Sequence, residues 1–422
     1  MTEKLLQFIW KHRYFNQQDL ELTSGEKLSI EYPGEENHHQ GPDFLNARIR
    51  TPGRLWIGHI EIHLFSSGWE KHRHAEDENY RNVILHVVWK TDGTGAAGNI
   101  PELELCHRIS KLMLETYSGW MMKPSFIPCE GSVGVLHAEI WEGWVSKLNI
   151  IRLERRMSEI LRSMQMHQYH WEEQFWWLVA MQFGGPVNAS AFGSVAKSIP
   201  FSLLARHRLQ SFQLEALFMG QANLLSREFA DPYPVSLKKE YRFLKRKYRL
   251  KGIFEPIHFL RMRPESFPTI RFSQLATLYS HSGSFFNQVL NCQSIRSLHE
   301  RLRTAASGYW DNHYLFEKPS AFHRKLPGTD LCNRVIINAI IPILYTYGKM
   351  VPDPSCLDRA FLWLEDLPPE KNKITMHWRK TGTVIRNASW SQALNELKKK
   401  FCDQRRCLEC ELGKKILAPE MN

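Results

Sequence analysis

The chain has 422 residues, of which 43% are hydrophobic, so it is long enough for two or three domains with cores of ordinary size. The formal net charge is +11 and the sequence pI is about 9.2, a balance that favours DNA or RNA as a partner. No apolar run reaches the length of a membrane span and the first residues have no signal-peptide pattern, so we expect a cytoplasmic protein without a membrane partner. The sequence sets no oligomeric state.

The first 110 residues predict a short helix followed by several strands. Residues 3–14 place Leu5, Ile9 and Trp10 along one stripe, as in an amphipathic helix. Apolar or alternating runs then predict strands at 28–32, 44–49, 55–65, 83–89 and 103–107. In the clearest strand, 55–65, we expect Glu61 and His63 to share one face, because successive side chains of a strand alternate. His59 falls on the same face in this pattern.

Carboxylates and imidazoles are dense between residues 41 and 89, so we expect the chemistry there. Asp43 precedes one predicted strand, and Glu61 and His63 follow on the next, 18 residues further on. A carboxylate from one strand and an acidic-x-basic pair from its neighbour can converge on one divalent cation. Two carboxylates favour Mg²⁺ or Mn²⁺ at this N-terminal site.

This arrangement resembles the motif of the PD-(D/E)xK nucleases, as does the predicted order of helix, strands, short helix and buried strand. The resemblance implies that Asp43 and Glu61 hold the metal. His63 stands where that family has lysine, so it is expected to be a base or a further ligand, and as a ligand it favours Mn²⁺ or zinc. Glu3 or Glu31 is a candidate for an additional acidic group.

A second interpretation starts from His72-x-His74-x-x-Asp77. Two imidazoles and a carboxylate are good zinc ligands, and with His63 or His86 they form a candidate hydrolytic zinc site of another class. The alternative is that these loop histidines only form hydrogen bonds or face solvent. His86 lies inside an apolar strand, so we expect it to be a core histidine with a satisfied hydrogen bond.

Long helical patterns begin near residue 136 and dominate the rest of the chain. Residues 237–251 predict a basic amphipathic helix, with Leu237 and Leu244 on its apolar stripe. Its Lys and Arg residues form either a phosphate-binding surface or an ordinary solvated face. Residues 332–347 predict a buried helix that contains a proline.

Three cysteines are clustered near the end of the chain as Cys402-x4-Cys407-x2-Cys410. In a reducing compartment such spacing predicts metal binding before a disulfide, and both zinc and an iron–sulfur cluster are admissible. The candidates for a fourth ligand are Cys332, Cys356, His377 or an external group. The alternative is three ordinary cysteines.

Several segments together resemble the bacterial family known as domain of unknown function 2851. They include residues 41–44, 58–63, 82–88, 263–274, 338–342 and 391–393 with the cysteine cluster. The resemblance covers nearly the whole chain and implies a small α/β start with a long helical remainder. It carries over no activity.

We therefore predict an α+β fold. It has a small mixed α/β nuclease-like domain at 1–130, a large mostly α-helical region at 131–390 and a cysteine-cluster segment at 391–422. The predicted function is a metal-dependent nuclease, or a nuclease-fold nucleic-acid-binding protein, with Asp43, Glu61 and His63 as catalytic residues. The alternatives are a non-catalytic nucleic-acid-binding or scaffold protein with a degenerate nuclease core, and a zinc-dependent hydrolase of a small molecule.

Overall fold

A computed structural model describes residues 1–93, 100–166, 170–253, 255–281 and 283–418. The chain divides into two compact units. The first, which we call the sheet unit, comprises Met1–Trp144, His377–Thr383 and Leu397–Asn422. The second, the helical unit, comprises Val145–Met376 and Val384–Glu396. The three-part division at 1–130, 131–390 and 391–422 stays a prediction.

The elements confirm the predicted α+β class. The described strands are β1 Ser29–Tyr32, β2 Glu35–Glu36, β3 Phe44–Thr51, β4 Arg54–Phe65, β5 Val83–Lys90, β6 Glu102–Glu104, β7 His313–Leu315 and β8 Lys318–Pro319. The described α-helices are α1 Glu3–His12, α2 Gly68–Lys71, α3 Lys111–Met122, α4 Ala138–Gln165, α5 Trp171–Lys197, α6 Phe201–His207, α7 Ser211–Gln221, α8 Pro232–Tyr248, α9 Pro268–His281, α10 Phe285–Leu290, α11 Ile295–Leu302, α12 Thr329–Val335, α13 Ile341–Met350, α14 Pro354–Asp366, α15 Lys373–Lys380, α16 Ala388–Leu397 and α17 Glu411–Leu417.

The sheet unit is built on a mixed sheet in the order β1-β3-β4-β5-β6, with β2 also paired to β3. The pairs β1–β3 and β3–β4 are antiparallel, whereas β4–β5 and β5–β6 are parallel. Helix α1 begins at the cap Thr2, whose hydroxyl accepts the Leu5 N–H, and it buries Leu5, Ile9 and Trp10 as the pattern predicted. The indole of Trp10 donates to the carbonyl of Pro33 at 2.9 Å, which fixes the helix beside the first strands.

A short crossover joins the parallel strands β4 and β5. It contains α2 and two single 3₁₀ turns, at His74–Glu76 and Glu78–Tyr80, in place of a long helix. Trp69 of α2 is buried and anchors the crossover against the sheet unit. Because the crossover is short, residues 72–74 lie beside the side chains of β4, where they form the candidate site.

The helical unit has a continuous apolar core that runs from Leu153 to Ala388. Helix α5 is interrupted at Gly185, which has φ +64° and is followed by Pro186. In α8, Leu237 and Leu244 are buried while most of the basic residues are exposed, so the helix is amphipathic as predicted.

The predicted buried helix at 332–347 is present as α12 and α13, joined by a π-helical turn at Ile336–Ile340. Among the described residues, the combined stretch Thr329–Met350 is long and apolar enough to cross a membrane, although no run of that length was expected. Its most apolar window is 78% buried inside the protein, as in a core helix.

Candidate metal site

Strand β4 presents Glu61 and His63 on one face, and both are almost completely buried, with 5% and 2% exposure. Their side chains meet, since Glu61 Oε1 lies 3.6 Å from His63 Nε2. The predicted shared face is therefore confirmed for this pair. His59 does not join them. The register with β5 shifts between His59 and Ile60, and the His59 Nδ1 instead accepts the Asn46 N–H at 3.3 Å.

The crossover brings two more imidazoles to the same point. His72 Nδ1 lies 3.2 Å from His63 Nε2, and His74 Nε2 lies 3.3 Å from the same atom. His74 Nε2 is also 3.3 Å from Glu61 Oε1. The donor atoms of His63, His72 and His74 all lie within 4.8 Å of one another. His63 and His74 are buried, whereas His72 is exposed and opens the cluster to solvent.

These spacings match the coordination shell of a single metal ion. Zinc binds imidazole nitrogen at about 2.0–2.1 Å in tetrahedral geometry, which places neighbouring ligand atoms about 3.4 Å apart. The contacts around His63 Nε2 lie between 3.2 and 3.6 Å. The three imidazoles of His63, His72 and His74 thus have the spacing of ligands to one metal ion, and Glu61 contacts two of them, His63 and His74.

A second layer of groups orients His63. Its Nδ1 lies 2.9 Å from His86 Nε2, and His86 Nδ1 lies 3.2 Å from Glu102 Oε2. Glu61, His86 and Glu102 occupy one row across β4, β5 and β6 in the parallel register. If His63 donates its Nδ1–H to His86, the Nε2 of His63 keeps its lone pair for a metal, as is usual for metal-binding histidines. His86 is a core histidine, as predicted, but its hydrogen bonding is incomplete, because its Nδ1 forms no hydrogen bond although Glu102 Oε2 is 3.2 Å away.

Asp43 contacts the site from β3 through Glu61. Its backbone N–H donates to Glu61 Oε2 at 3.1 Å. Its own carboxylate accepts the Gln7 amide at 2.8 Å and the Ile62 N–H at 3.0 Å. The negative charge of Glu3 also raises the pKa of both Asp43 and Glu61. Among the described residues, no Lys or Arg forms an ion pair with Asp43 or Glu61.

Burial gives these groups unusual pKa values. It lowers the pKa of His63 to about 3 and that of His74 to about 4, so both rings are neutral and offer lone pairs at neutral pH. Burial, and then the neighbouring Asp43, raise the pKa of Glu61 to about 9. Burial also raises the pKa of Asp43 to about 6. A bound cation would supply the positive charge that keeps both carboxylates ionised.

Aromatic rings form the wall beside the imidazoles. The Tyr80 ring stacks on His74 with centroids 3.9 Å apart, and Trp69 packs edge-on against His74 at 5.3 Å. A pocket of about 500 Å³ adjoins them, lined by these residues together with Val83, Ile100 and charged side chains of the crossover. Helix α2 approaches so closely that a Cβ on Gly68 would lie 2.7 Å from the His63 ring.

Two predicted contributors lie elsewhere. Asp77 caps the second 3₁₀ turn, where its carboxylate accepts the backbone and side-chain N–H groups of Asn79. Glu31 forms an ion pair with Arg50 on the neighbouring strand. A second small donor group, Glu104, Cys106 and His107, also has its donor atoms within 4.8 Å, but Glu104 already accepts hydrogen bonds from Thr91 and Cys106.

The sequence did not reveal the partners that come from other elements. Glu102, Gln7 and Tyr80 each lack a local motif, because their roles depend on strand register and packing. The cysteine cluster also gains an unpredicted neighbour. Cys402, Cys407 and Cys410 lie in the sheet unit beside Cys129, whereas the candidate ligands Cys332 and Cys356 belong to the helical unit.

Comparison with known proteins places the chain in one family. Residues 3–373 match the family model described as "Protein of unknown function (DUF2851)". The chain belongs to this family. The match includes every residue of the Glu61 cluster, as well as Cys129, and ends before Cys402. No curated protein and no solved structure matches the chain.

Proposed function

We propose that this member of the DUF2851 family is a metal-dependent nuclease whose metal is bound by His63, His72 and His74, with the Glu61 carboxylate beside it. The observation that carries the proposal is the convergence of the three imidazoles within 4.8 Å of one another, with Glu61 Oε1 3.6 Å from His63 Nε2 and 3.3 Å from His74 Nε2. Three protein ligands leave a position for water or substrate. The exposed His72 leaves the cluster open on one side, where a substrate can approach.

The donor set favours Zn²⁺ or Mn²⁺ over Mg²⁺. Imidazole suits zinc and other first-row transition ions, whereas Mg²⁺ prefers oxygen ligands. Such an ion polarises a scissile phosphate and lowers the pKa of a bound water. Asp43 would act as the adjacent carboxylate, since its backbone N–H donates to Glu61 Oε2 and its side chain accepts the Ile62 N–H beside the cluster.

The order of elements supports a phosphodiester substrate. Helix α1 is followed by the antiparallel strands β1, β3 and β4, then by a short crossover and the parallel strand β5. This order is close to that of the PD-(D/E)xK core. It departs from that core in two ways, which are the short crossover in place of a full helix before β5 and the imidazole-rich ligand set, with His63 in place of lysine.

The charge distribution supports a nucleic-acid partner. The helical unit has 32 Lys and Arg residues against 20 Asp and Glu, whereas the sheet unit has 23 against 24. The basic excess is therefore confined to the helical unit. In α8 the side chains of Lys239, Arg242, Lys245, Arg246 and Lys247 are exposed. We propose that this surface binds phosphates of DNA or RNA.

The test is cleavage of single- and double-stranded DNA and RNA by the purified chain with Zn²⁺, Mn²⁺ or Mg²⁺. We expect metal-dependent cleavage that is lost in Glu61→Gln and retained in Glu31→Gln, a matched control because Glu31 lies in the same sheet but pairs with Arg50. Cleavage that survives Glu61→Gln contradicts the site. Salt-sensitive binding without cleavage favours the non-catalytic nucleic-acid-binding protein.

A second candidate is a zinc-dependent hydrolase of a small molecule. The pocket of about 500 Å³ beside His74, with apolar walls from Trp69, Tyr80 and Val83, favours it. Chromogenic phosphate and carboxylate esters separate the two candidates. Hydrolysis of small esters without cleavage of any polymer supports the small-molecule enzyme.

A further inference from the structure

Four of the eight cysteines come together in the sheet unit. Cys129 belongs to the loop that precedes α4, whereas Cys402, Cys407 and Cys410 lie near the end of the chain. The thiol of Cys402 interacts electrostatically with the other three, and Cys129 interacts with both Cys407 and Cys410. All four are free thiols, and three of them are buried.

The backbone around Cys410 forms a tight turn. The Cys410 backbone N–H donates to the Cys407 carbonyl oxygen at 3.3 Å, and the Cys410 carbonyl oxygen accepts the Lys414 N–H at 2.9 Å. This tight turn holds Cys407 and Cys410 close to each other. Gly413 is needed for this turn, because a Cβ there would lie 2.3 Å from the Cys407 carbonyl oxygen.

Other contacts hold the two cysteine-bearing segments together. The guanidinium of Arg405 donates to the carbonyl oxygens of Trp120 and Lys123. The ammonium of Lys398 lies 5.0 Å from the centre of the Phe126 ring. The chain just before Cys129 is thus held against the segment that carries Cys402 by contacts that do not involve sulfur.

We propose that Cys129, Cys402, Cys407 and Cys410 bind one metal centre through four thiolates, with Cys129 as the fourth ligand that the C-terminal motif lacks. Three of the four thiols are buried, which would shield a bound centre from solvent.

Four thiolates are the ligand set of both a single zinc ion and an iron–sulfur cluster. The two centres differ in colour and in metal content, so the same experiment that tests the site also identifies the metal.

The centre has a structural role in this scheme. It ties the loop at Cys129 to the final segment of the sheet unit, two parts of the chain that are distant in sequence. It does not depend on the proposed nuclease activity, and the variant Glu61→Gln is expected to keep it.

Two measurements test the proposal, metal analysis and absorption spectra. Both use the full chain after anaerobic purification and reconstitution with iron and sulfide or with zinc. Iron with sulfide and visible absorption, or one additional zinc that persists in Glu61→Gln, supports the four-thiolate centre and identifies the metal. We expect Cys129→Ser to lose this metal, and the controls Cys332→Ser and Cys356→Ser to retain it. Retention of the metal by Cys129→Ser overturns the assignment, whether or not either control loses it.

Alkylation of the wild-type chain gives a test that does not require a folded variant. We expect Cys129, Cys402, Cys407 and Cys410 to be protected together, and to become reactive together when the metal is removed by chelation or oxidation. Mass spectrometry of the modified peptides reads out each thiol. A reconstituted protein without metal, or a Cys129 whose reactivity is independent of the other three, contradicts the proposal.

Discussion

Two buried carboxylates, Glu61 in the sheet unit and Glu215 in the helical unit, show the difference between a functional and a structural charge. Glu215 is 1% exposed, and its oxygens accept hydrogen bonds from the Trp310 indole and the Ser273 hydroxyl, both at 2.7 Å, and from the Tyr233 hydroxyl at 2.8 Å. Its own unit thus supplies the donors that a buried carboxyl group requires.

Glu61 is buried to a similar degree but has different neighbours. One oxygen accepts the Asp43 N–H, while the other faces the ring nitrogens of His63 and His74. Burial raises the pKa of both Glu61 and Glu215. The surroundings of Glu61 consist largely of groups that bind metals, so we infer that its stabilising charge comes from outside the chain.

Removal of one imidazole is expected to have the largest effect on metal binding. In His74→Ala the cluster loses a donor that contacts both Glu61 and His63. We expect metal affinity to fall by more than about 100-fold, beyond the 10–100-fold typical of outer-layer partners. Calorimetric titration with Zn²⁺ measures it, with the exposed His39→Ala as control. Equal affinity in both variants contradicts the site.

Matched substitutions of the two carboxylates sharpen the comparison. Glu61→Gln is expected to abolish metal-dependent stabilisation while the chain stays folded. Glu215→Gln is expected to lower the free energy of unfolding by about 1–3 kcal/mol, because its donors lose a charged acceptor, with metal binding unchanged. Chemical unfolding with and without Zn²⁺ distinguishes them. A metal-binding defect in Glu215→Gln would falsify the distinction.

In the metal-free chain, Glu61 is expected to make the free energy of unfolding fall as the pH rises. Its folded-state pKa is raised from 4.5 to about 9, so between these values the folded state binds a proton that the unfolded state has lost. This group's contribution to stability therefore falls as pH rises, by about 1.4 kcal/mol per pH unit. Urea unfolding with a chelator at pH 7 and pH 8.5 measures the slope. Glu61→Gln should flatten it, and an identical slope in both proteins would contradict the assignment.

Gly68→Ala tests how tightly the cluster is packed. The new methyl group would lie 2.7–2.9 Å from atoms of His63, so the ring or α2 must shift. We expect weaker metal binding and lower activity, while the fold persists. Gly53→Ala is a spatial control because its Cβ would meet no atom within 4 Å, although its φ of +79° adds backbone strain. Unchanged metal affinity in Gly68→Ala would show that the His63 position is not critical.

Glu102→Gln has a smaller expected effect, because it acts through His86. The row from His63 to His86 to Glu102 loses its terminal charge, so we expect metal affinity to fall 10–100-fold. The hydrogen bond from Ser66 to Glu102 can persist with glutamine. Zinc titration measures the change, and an affinity equal to that of wild type would exclude the row from metal binding.

Charge removal on α8 has the smallest expected effect. In Lys245→Ala and Lys247→Ala we expect weaker DNA or RNA binding, and a salt slope that decreases by about 1 for each lost phosphate contact. Fluorescence anisotropy at several salt concentrations measures it. Lys27→Ala in the sheet unit is the control. Equal slopes in all of these variants would leave α8 as an ordinary solvated face.

Local patterns predicted a large part of the architecture. The helix at α1, the strands around Glu61, the basic stripe of α8 and the buried helix near residue 340 all follow from periodicity. The shared face of Glu61 and His63 follows from strand alternation alone. These features depend on residues that are close in sequence.

The completed site could not be predicted, because it depends on long-range pairing. The parallel register that aligns Glu61 with His86 and Glu102 has no local signal. The same holds for the crossover that returns His72 and His74 to β4, and for the approach of Cys129 to the C-terminal cysteines. The two separate metal interpretations of the sequence, through Glu61 and through His72 with His74, therefore meet only in three dimensions.

The most direct test of the account is an anomalous-difference map from crystals of the full chain grown with Zn²⁺ or Mn²⁺. We predict a peak within about 2.0–2.2 Å of His63 Nε2, His72 Nδ1 and His74 Nε2, next to the Glu61 carboxylate. The account would be contradicted if the metal-saturated chain showed no peak among these atoms and the imidazoles were hydrogen-bonded only to one another.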